Sequence, residues 1–212
     1  MGRRMLNRQT ALRDGYSGLH SWLSQVESLW ESQKKRGIKE DVYQWLDYQR
    51  KLTSQYPAGY SFVLCGNAGT HVASCVVDAR QMPSEVSGLS VQGFVADIGS
   101  YFYQTTRFDE ANYICACLNS KYVDETIKPY QPKGAWGERQ IARLPLEAVP
   151  IPKFNSKDEK HLRLAELSEK CHHKVAHLAL KGESIGFLRN KVREHLSHEL
   201  EEIDRLVKDI LS

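Results

Sequence analysis

A chain of 212 residues, 41% hydrophobic and 26% charged, has the composition of a folded protein with one core and room for a helical appendage, which excludes intrinsic disorder as its organising feature. A formal charge of +3 and an isoelectric point near 8.5 fall short of the basic balance that marks a nucleic-acid binder on composition alone. No apolar run approaches the roughly 20 residues needed to cross a bilayer, and five cysteines with no CxxC pair and no apolar leader argue for reduced thiols in a cytoplasm.

Residues 1–40 read as a helical lead-in. Trp22, Val26, Leu29 and Gln33 follow helical spacing, and after a break at Gly37 so do Val42, Trp45, Leu46, Gln49 and Leu52. Beyond Pro57 the period changes to two. "YSFVLCGNAGTHVASCVVD" alternates on both sides of Gly66-Asn-Ala-Gly69, a β-hairpin pattern with turn residues that tolerate positive φ. A second β segment, "GFVADIGSYFYQTT", leads into one helix over Ala111–Lys128, which Pro129 ends.

The stretch "YQPKGAWGERQIARLPLEAVPIPKF", Tyr130 to Phe154, then places four prolines and two glycines around Trp136, Arg139 and Arg143, with a short strand expected over Glu138–Leu144. Ser156 and Glu159 have the spacing of a capping box opening a helix to about Ala179. Ser184 caps a final helix with Ile185, Leu188, Val192, Leu196, Leu200, Ile203, Val207 and Ile210 along one stripe. The expected architecture is α+β: a mixed or antiparallel sheet with packed helices over residues 41–154, and a C-terminal helical hairpin over residues 155–212.

Self-sufficient catalysis finds little support in these residues. There is no G-x-S-x-G elbow, no phosphate-binding loop and no dinucleotide fingerprint, so catalytic and cofactor-binding residues are read as none. Cys171, His172, His173 and His177 lack a second cluster with finger-like spacing and read as helix-surface side chains, leaving no metal site. Aromatic and cationic residues are more suggestive. Tyr103 and Arg107, then Gln131, Lys133, Gly134, Trp136, Gly137, Arg139, Gln140 and Arg143, are residue types that stack, bind phosphate or read base edges. Lys121 to Arg163 carries nine Lys/Arg against six Asp/Glu, whereas Ser184 to Ser212 carries five against six.

In order along the chain, "WLDYQRKLTSQ", the hairpin sequence, "ACLNSKYVDETIKPYQPKG" running into "LEAVPIPKF", and "LRNKVREHLSHELEEIDRLV" resemble the C-terminal TaqI-like target recognition, or specificity, domain of N6-adenine DNA methyltransferases and fused type II restriction-modification enzymes. The resemblance covers about Asp41 to Leu211 and is most specific in "ACLNSKYVDETIKPYQPKG" running into "LEAVPIPKF". It implies a chain that reads double-stranded DNA beside a methyltransferase catalytic domain or subunit, which would hold S-adenosylmethionine. The family's Asn-Pro-Pro motif occurs nowhere in this sequence, so by resemblance the chain is a non-catalytic part of such an enzyme. The alternative reading is a helical subunit-assembly module, with a homodimer through the C-terminal helices and no direct DNA contact. On the first reading, the chain incubated alone with duplex DNA and a tritium-labelled methyl donor transfers no label above blank; counts above blank would contradict it.

Overall fold

The computed structural model describes residues 4–69, 71–97, 99–132, 141, 147–181 and 184–212. The chain divides into two compact units, Met1–Tyr56 and Pro57–Ser212.

The first unit is helical. Asn7 caps α1 (Arg8–Arg13) by accepting from the Thr10 N–H at 2.8 Å, and α2 follows over Ser17–Gln33. A capping box between Asp41 and Gln44 starts α3, which covers only Val42–Leu46. The helix expected to continue to Leu52 stops because Asp47 turns its carboxylate onto the chain ahead, accepting from the Leu52 and Thr53 N–H groups and from the Thr53 hydroxyl. Such local side-chain capture competes directly with helix propagation. Gln49 and Arg50 there take positive φ, at 55° and 59°. The Tyr43 hydroxyl donates to Glu27, which also pairs with Arg8 at 3.2 Å, and Trp30 lies 5.2 Å from Trp45.

The second unit has an α+β architecture. β1 (Ser61–Gly66) is central, antiparallel to β2 (Ser74–Asp78) on one side and to β5 (Ser100–Thr105) on the other. The expected hairpin is therefore present, with Val63 opposite both Val76 and Tyr103. Between β2 and β5 a small ribbon pairs β3 (Glu85–Val86) with β4 (Leu89–Ser90). Its two-residue turn, Ser87-Gly88, has positive φ at both positions, the geometry that matches strand twist. Gly93 is fixed by crowding: the Phe94 N–H donates to the Pro57 carbonyl at 2.7 Å, and a Cβ on Gly93 would collide with that carbonyl.

The helix expected over Ala111–Lys128 is two helices, α4 (Phe108–Asn119) and α5 (Lys121–Ile127). Ser120 divides them. Its backbone is extended and its hydroxyl accepts from the Val123 N–H at 3.2 Å, so a residue read as one more helical position is an N-cap. Asp158, rather than Ser156, caps α6 (Glu159–Ala176), accepting from the Lys160 and His161 N–H groups. Ser184 caps α7 (Ile185–His195) as expected, but the chain changes course at Leu196 before α8 (Ser197–Leu211). That break leaves the helical region at φ −102°, ψ 7° and buries the Leu196 side chain.

One face of the sheet is covered by α4, and α4 in turn by α6. Tyr113, Ala116 and Cys117 of α4 join Val123 and Ile127 of α5, Leu164 and Leu167 of α6, and Ile203, Leu206 and Val207 of α8 in one core. α8 is also tied in electrostatically. Glu199 is almost fully buried and receives both Lys170 (2.9 Å) and Lys174 (2.7 Å); the Lys174 hydrogen bond, with that of Lys170, outweighs burial and draws its carboxyl down to about 2. Glu202 meets Arg163 at 2.8 Å, and Asp204 accepts from the Lys121 N–H at the start of α5. No described helix is long and apolar enough to cross a membrane.

Three outward-facing backbone groups of β2 are satisfied by side chains. Asn119 brackets Ser74, accepting from its N–H at 2.9 Å and donating to its carbonyl at 2.9 Å. The Val76 N–H donates to His172 Nε2 at 2.9 Å, while His172 Nδ1 lies 2.7 Å from the Ser168 carbonyl, so the proton sits on Nδ1 and Nε2 is free to accept. His172→Ala leaves the Val76 N–H without its partner and is expected to cost about 1–3 kcal/mol, read as a lower urea midpoint at unchanged slope. A midpoint equal to the parent's would show the bond to be dispensable.

Candidate nucleic-acid interface

Two of the ten proposed DNA-contacting residues lie at the far end of β5 and just beyond it. Tyr103 is 45% exposed, and its hydroxyl is 3.4 Å from Glu110, which also accepts from Thr105 at 2.6 Å. Arg107 precedes α4, and its guanidinium is 2.9 Å from Asp109 and 4.8 Å above the Phe154 ring. The Asp109 hydrogen bond raises the Arg107 pKa, and the same bond lowers that of Asp109. Arg107 thus has its charge partly answered within the protein, which weakens the case for a phosphate contact at that position.

Gln131 follows α5 and a short 3₁₀ turn, Lys128–Tyr130, and is only 7% exposed. Among the described residues neither end of its amide has a hydrogen-bond partner. Lys133, Gly134, Trp136, Gly137, Arg139, Gln140 and Arg143 lie outside the described residues, as does the strand expected over Glu138–Leu144 apart from Ile141. Ile141 is 1% exposed, belongs to the main core and donates its N–H to the Asn67 carbonyl at 3.0 Å.

Gln131 and Ile141 are both buried in the second unit, with the nine residues 132–140 between them. The return is fixed by aromatic packing: the Tyr113 hydroxyl donates to the Pro152 carbonyl at 3.1 Å, its ring stacks on His161 at 4.4 Å, and Phe154 lies 5.5 Å away. Burial pushes the Tyr113 phenol far above its ordinary range, so it remains a donor. His161 Nδ1 accepts from the Asn155 N–H at 3.0 Å, completing the join between the returning chain and α6.

A contributor that sequence reading missed is Asp124. From α5 it accepts from the Val72 N–H (3.0 Å) and approaches His71 Nδ1 (2.8 Å) and Lys128 Nζ (3.0 Å), holding the β1–β2 connection whose Asn67 carbonyl receives Ile141. An acidic residue one turn into a helix gave no sign of a partner more than fifty positions away. Among the described residues no group of three or more His, Cys, Asp or Glu side chains could hold a metal ion. Cys115 and Cys117, both buried, have thiols pushed up by burial to about 11 and about 12, which leaves them protonated and unreactive at neutral pH.

No protein-family model, no curated protein and no solved structure matches this chain.

Burial alone would raise the Asp124 carboxyl, but the bonds from His71, Lys128 and the Val72 N–H outweigh it and hold the pKa below the ordinary carboxylate range. Its contribution to stability is thus present above the unfolded-state pKa and lost as pH falls through the lower folded value. Asp124→Ala is expected to cost about 1–3 kcal/mol at neutral pH and to speed hydrogen exchange at the Val72 and Ile141 amides. The difference from the parent should shrink in acid. Equal exchange at both amides would detach Asp124 from the loop's far anchor.

Proposed function

We propose that this chain is the sequence-reading part of an N6-adenine DNA methyltransferase or restriction-modification enzyme, binding double-stranded DNA without performing methyl transfer itself. The observation that carries the reading is the anchorage of the segment that follows α5. Buried Gln131 precedes the stretch that contains Lys133, Trp136, Arg139 and Arg143, and buried Ile141 lies within it. Fixed ends lower the entropy lost when such a segment is ordered against a partner. Arg139 and Arg143 supply the cations for phosphate or guanine, Trp136 a stacking surface, and Gly134 and Gly137 the backbone freedom for close approach.

On this reading S-adenosylmethionine belongs to a separate catalytic domain or subunit, and the reduced thiols fit a cytoplasmic protein. The chain alone supplies only part of a grip on the duplex, so its affinity for generic DNA is expected in the range of about 10⁻⁴ to 10⁻⁶ M at physiological salt.

A second reading, a subunit-assembly module, is favoured by the first unit, where Trp22, Leu29 and Trp45 are all more than half exposed. Large apolar side chains gathered on a small helical unit are a common mark of a protein-binding surface. The two readings separate in solution: assembly without DNA contact gives a dimer mass and no salt-dependent binding to duplex.

Arg139→Ala tests the first reading directly. A guanine contact predicts a loss of roughly 1–3 kcal/mol on selected sites and relaxed preference at one base pair, whereas a phosphate contact predicts a uniform loss with the salt slope reduced by about one. Parent-like binding to every duplex would remove Arg139 from the interface.

A further inference from the structure

The C-terminal residues from Ser184 are close to neutral when taken together, but the break at Leu196 divides them into helices of opposite character. α7 carries Arg189, Lys191 and Arg193 against Glu194 alone, while α8 carries Arg205 and Lys208 against Glu199, Glu201, Glu202, Asp204 and Asp209. The acidic helix is turned inward: Glu199, Glu202, Asp204 and Asp209 engage Lys170 and Lys174, Arg163, the Lys121 N–H and Lys160 respectively. In the basic helix Lys191 donates to the Ala179 carbonyl at 3.1 Å, and among the described residues none of its cations meets a carboxylate. It buries none of its residues, and neither Arg189 nor Arg193 forms an ion pair among the described residues, whereas Arg80, Arg107 and Arg163 of the same unit are each held by carboxylates.

Helical spacing sorts the side chains of α7. Leu188 and Val192 are part-buried on the stripe that leads to buried Leu196. Gly186, Arg189, Asn190 and Arg193, at i, i+3, i+4 and i+7, are all exposed and share a different side. Glu194, also exposed and four positions after Asn190, borders that side, and space is open where a Cβ on Gly186 would stand. Phe187, 56% exposed, lies beside Asn190 at its margin.

We infer that this side of α7 is a second surface for duplex DNA, one that contacts phosphates through Arg189 and Arg193 and brings Asn190 to the groove; the inference rests on the DNA-reading function proposed above. Charge complementarity selects the occupant, since the side offers two guanidinium groups with no ion pair among the described residues and an amide, against the single carboxylate of Glu194 at its edge. An 11-residue helix is about 16 Å long, and a major groove about 12 Å wide admits a helix. A membrane surface fits less well, because Leu188 and Val192 are part-buried and the two exposed apolar residues of α7, Ile185 and Phe187, stand two positions apart on different sides of the helix.

The test uses the full chain and a fluorescent generic duplex titrated at several salt concentrations. Arg189→Gln with Arg193→Gln is expected to weaken binding about tenfold and to lower the salt slope by about two, with an unchanged circular dichroism spectrum because both side chains are exposed. Lys35→Gln with Arg36→Gln removes the same charge from exposed positions outside the proposed surface and is expected to change affinity by less than about twofold, since a side chain that contacts no phosphate releases no counterion. Equal losses in the two double variants would reduce the effect to net charge and overturn the inference. So would parent-like binding of Arg189→Gln with Arg193→Gln while Arg139→Ala still weakens it, an outcome that leaves the proposed function standing. A parent chain that binds no duplex removes that function and this surface together. A double variant that dissociates a dimer without altering DNA affinity assigns the side to self-association instead.

Discussion

Six of the twelve residues of α4 are buried, and they run almost without interruption from Ala111 to Cys117. A helix that lies against one neighbour buries a stripe; one buried on successive positions is covered from two sides. Val63 and Val76 of the sheet meet Ala111, Cys115 and Ile114, while Tyr113, Ala116 and Cys117 face the core built with α5, α6 and α8. Small side chains make this possible. Ala111, Cys115, Ala116 and Cys117 let the sheet and α6 approach a shared helix, and a larger residue at any of them would have to displace packed neighbours.

The same helix governs how the proposed reading segment is mounted. Through Tyr113 it holds the Pro152 carbonyl, His161 and Phe154, and α5 begins one residue after α4 ends, bringing Asp124 to the β1–β2 connection. Before the segment the chain is set by α5; the amide of Ile141 is set by the hairpin, and the return to α6 by Tyr113. The contacts that fix these flanking residues are thus made by side chains of the scaffold, the arrangement from which loops on a rigid framework commonly acquire function.

Patterns of period two and long helical runs were legible in the sequence; interruptions within the runs were not. The hairpin was plain because alternation and turn residues agree, and Ser184 was plain as a cap because the preceding residues break helical spacing. Ser120 and Leu196 sit where apolar periodicity continues, so nothing local announces that the chain leaves the helix there. Asp158 prevailed over Ser156 as the cap of α6 because its carboxylate reaches two N–H groups at once. Of the proposed contact residues, Gln131 has the chemistry of a base reader and is buried, a matter decided by neighbours far away in sequence. His172 looked like one of several surface histidines because its partner, Val76, is 96 positions distant.

That pairing bears on how the molecule behaves among copies of itself. An outer strand normally displays a row of unsatisfied amides and carbonyls on which another chain can add, and proteins commonly blunt it with bulges, prolines or charge. Along β2 the blunting is done by an amide and an imidazole borrowed from two helices: Asn119 takes the place of a fourth strand at Ser74, and His172 does so at Val76. As long as those helices stay docked, the groups at Ser74 and the Val76 N–H are withheld from ribbon growth, and a concentrated solution of the folded protein is protected at those positions against templated fibril formation.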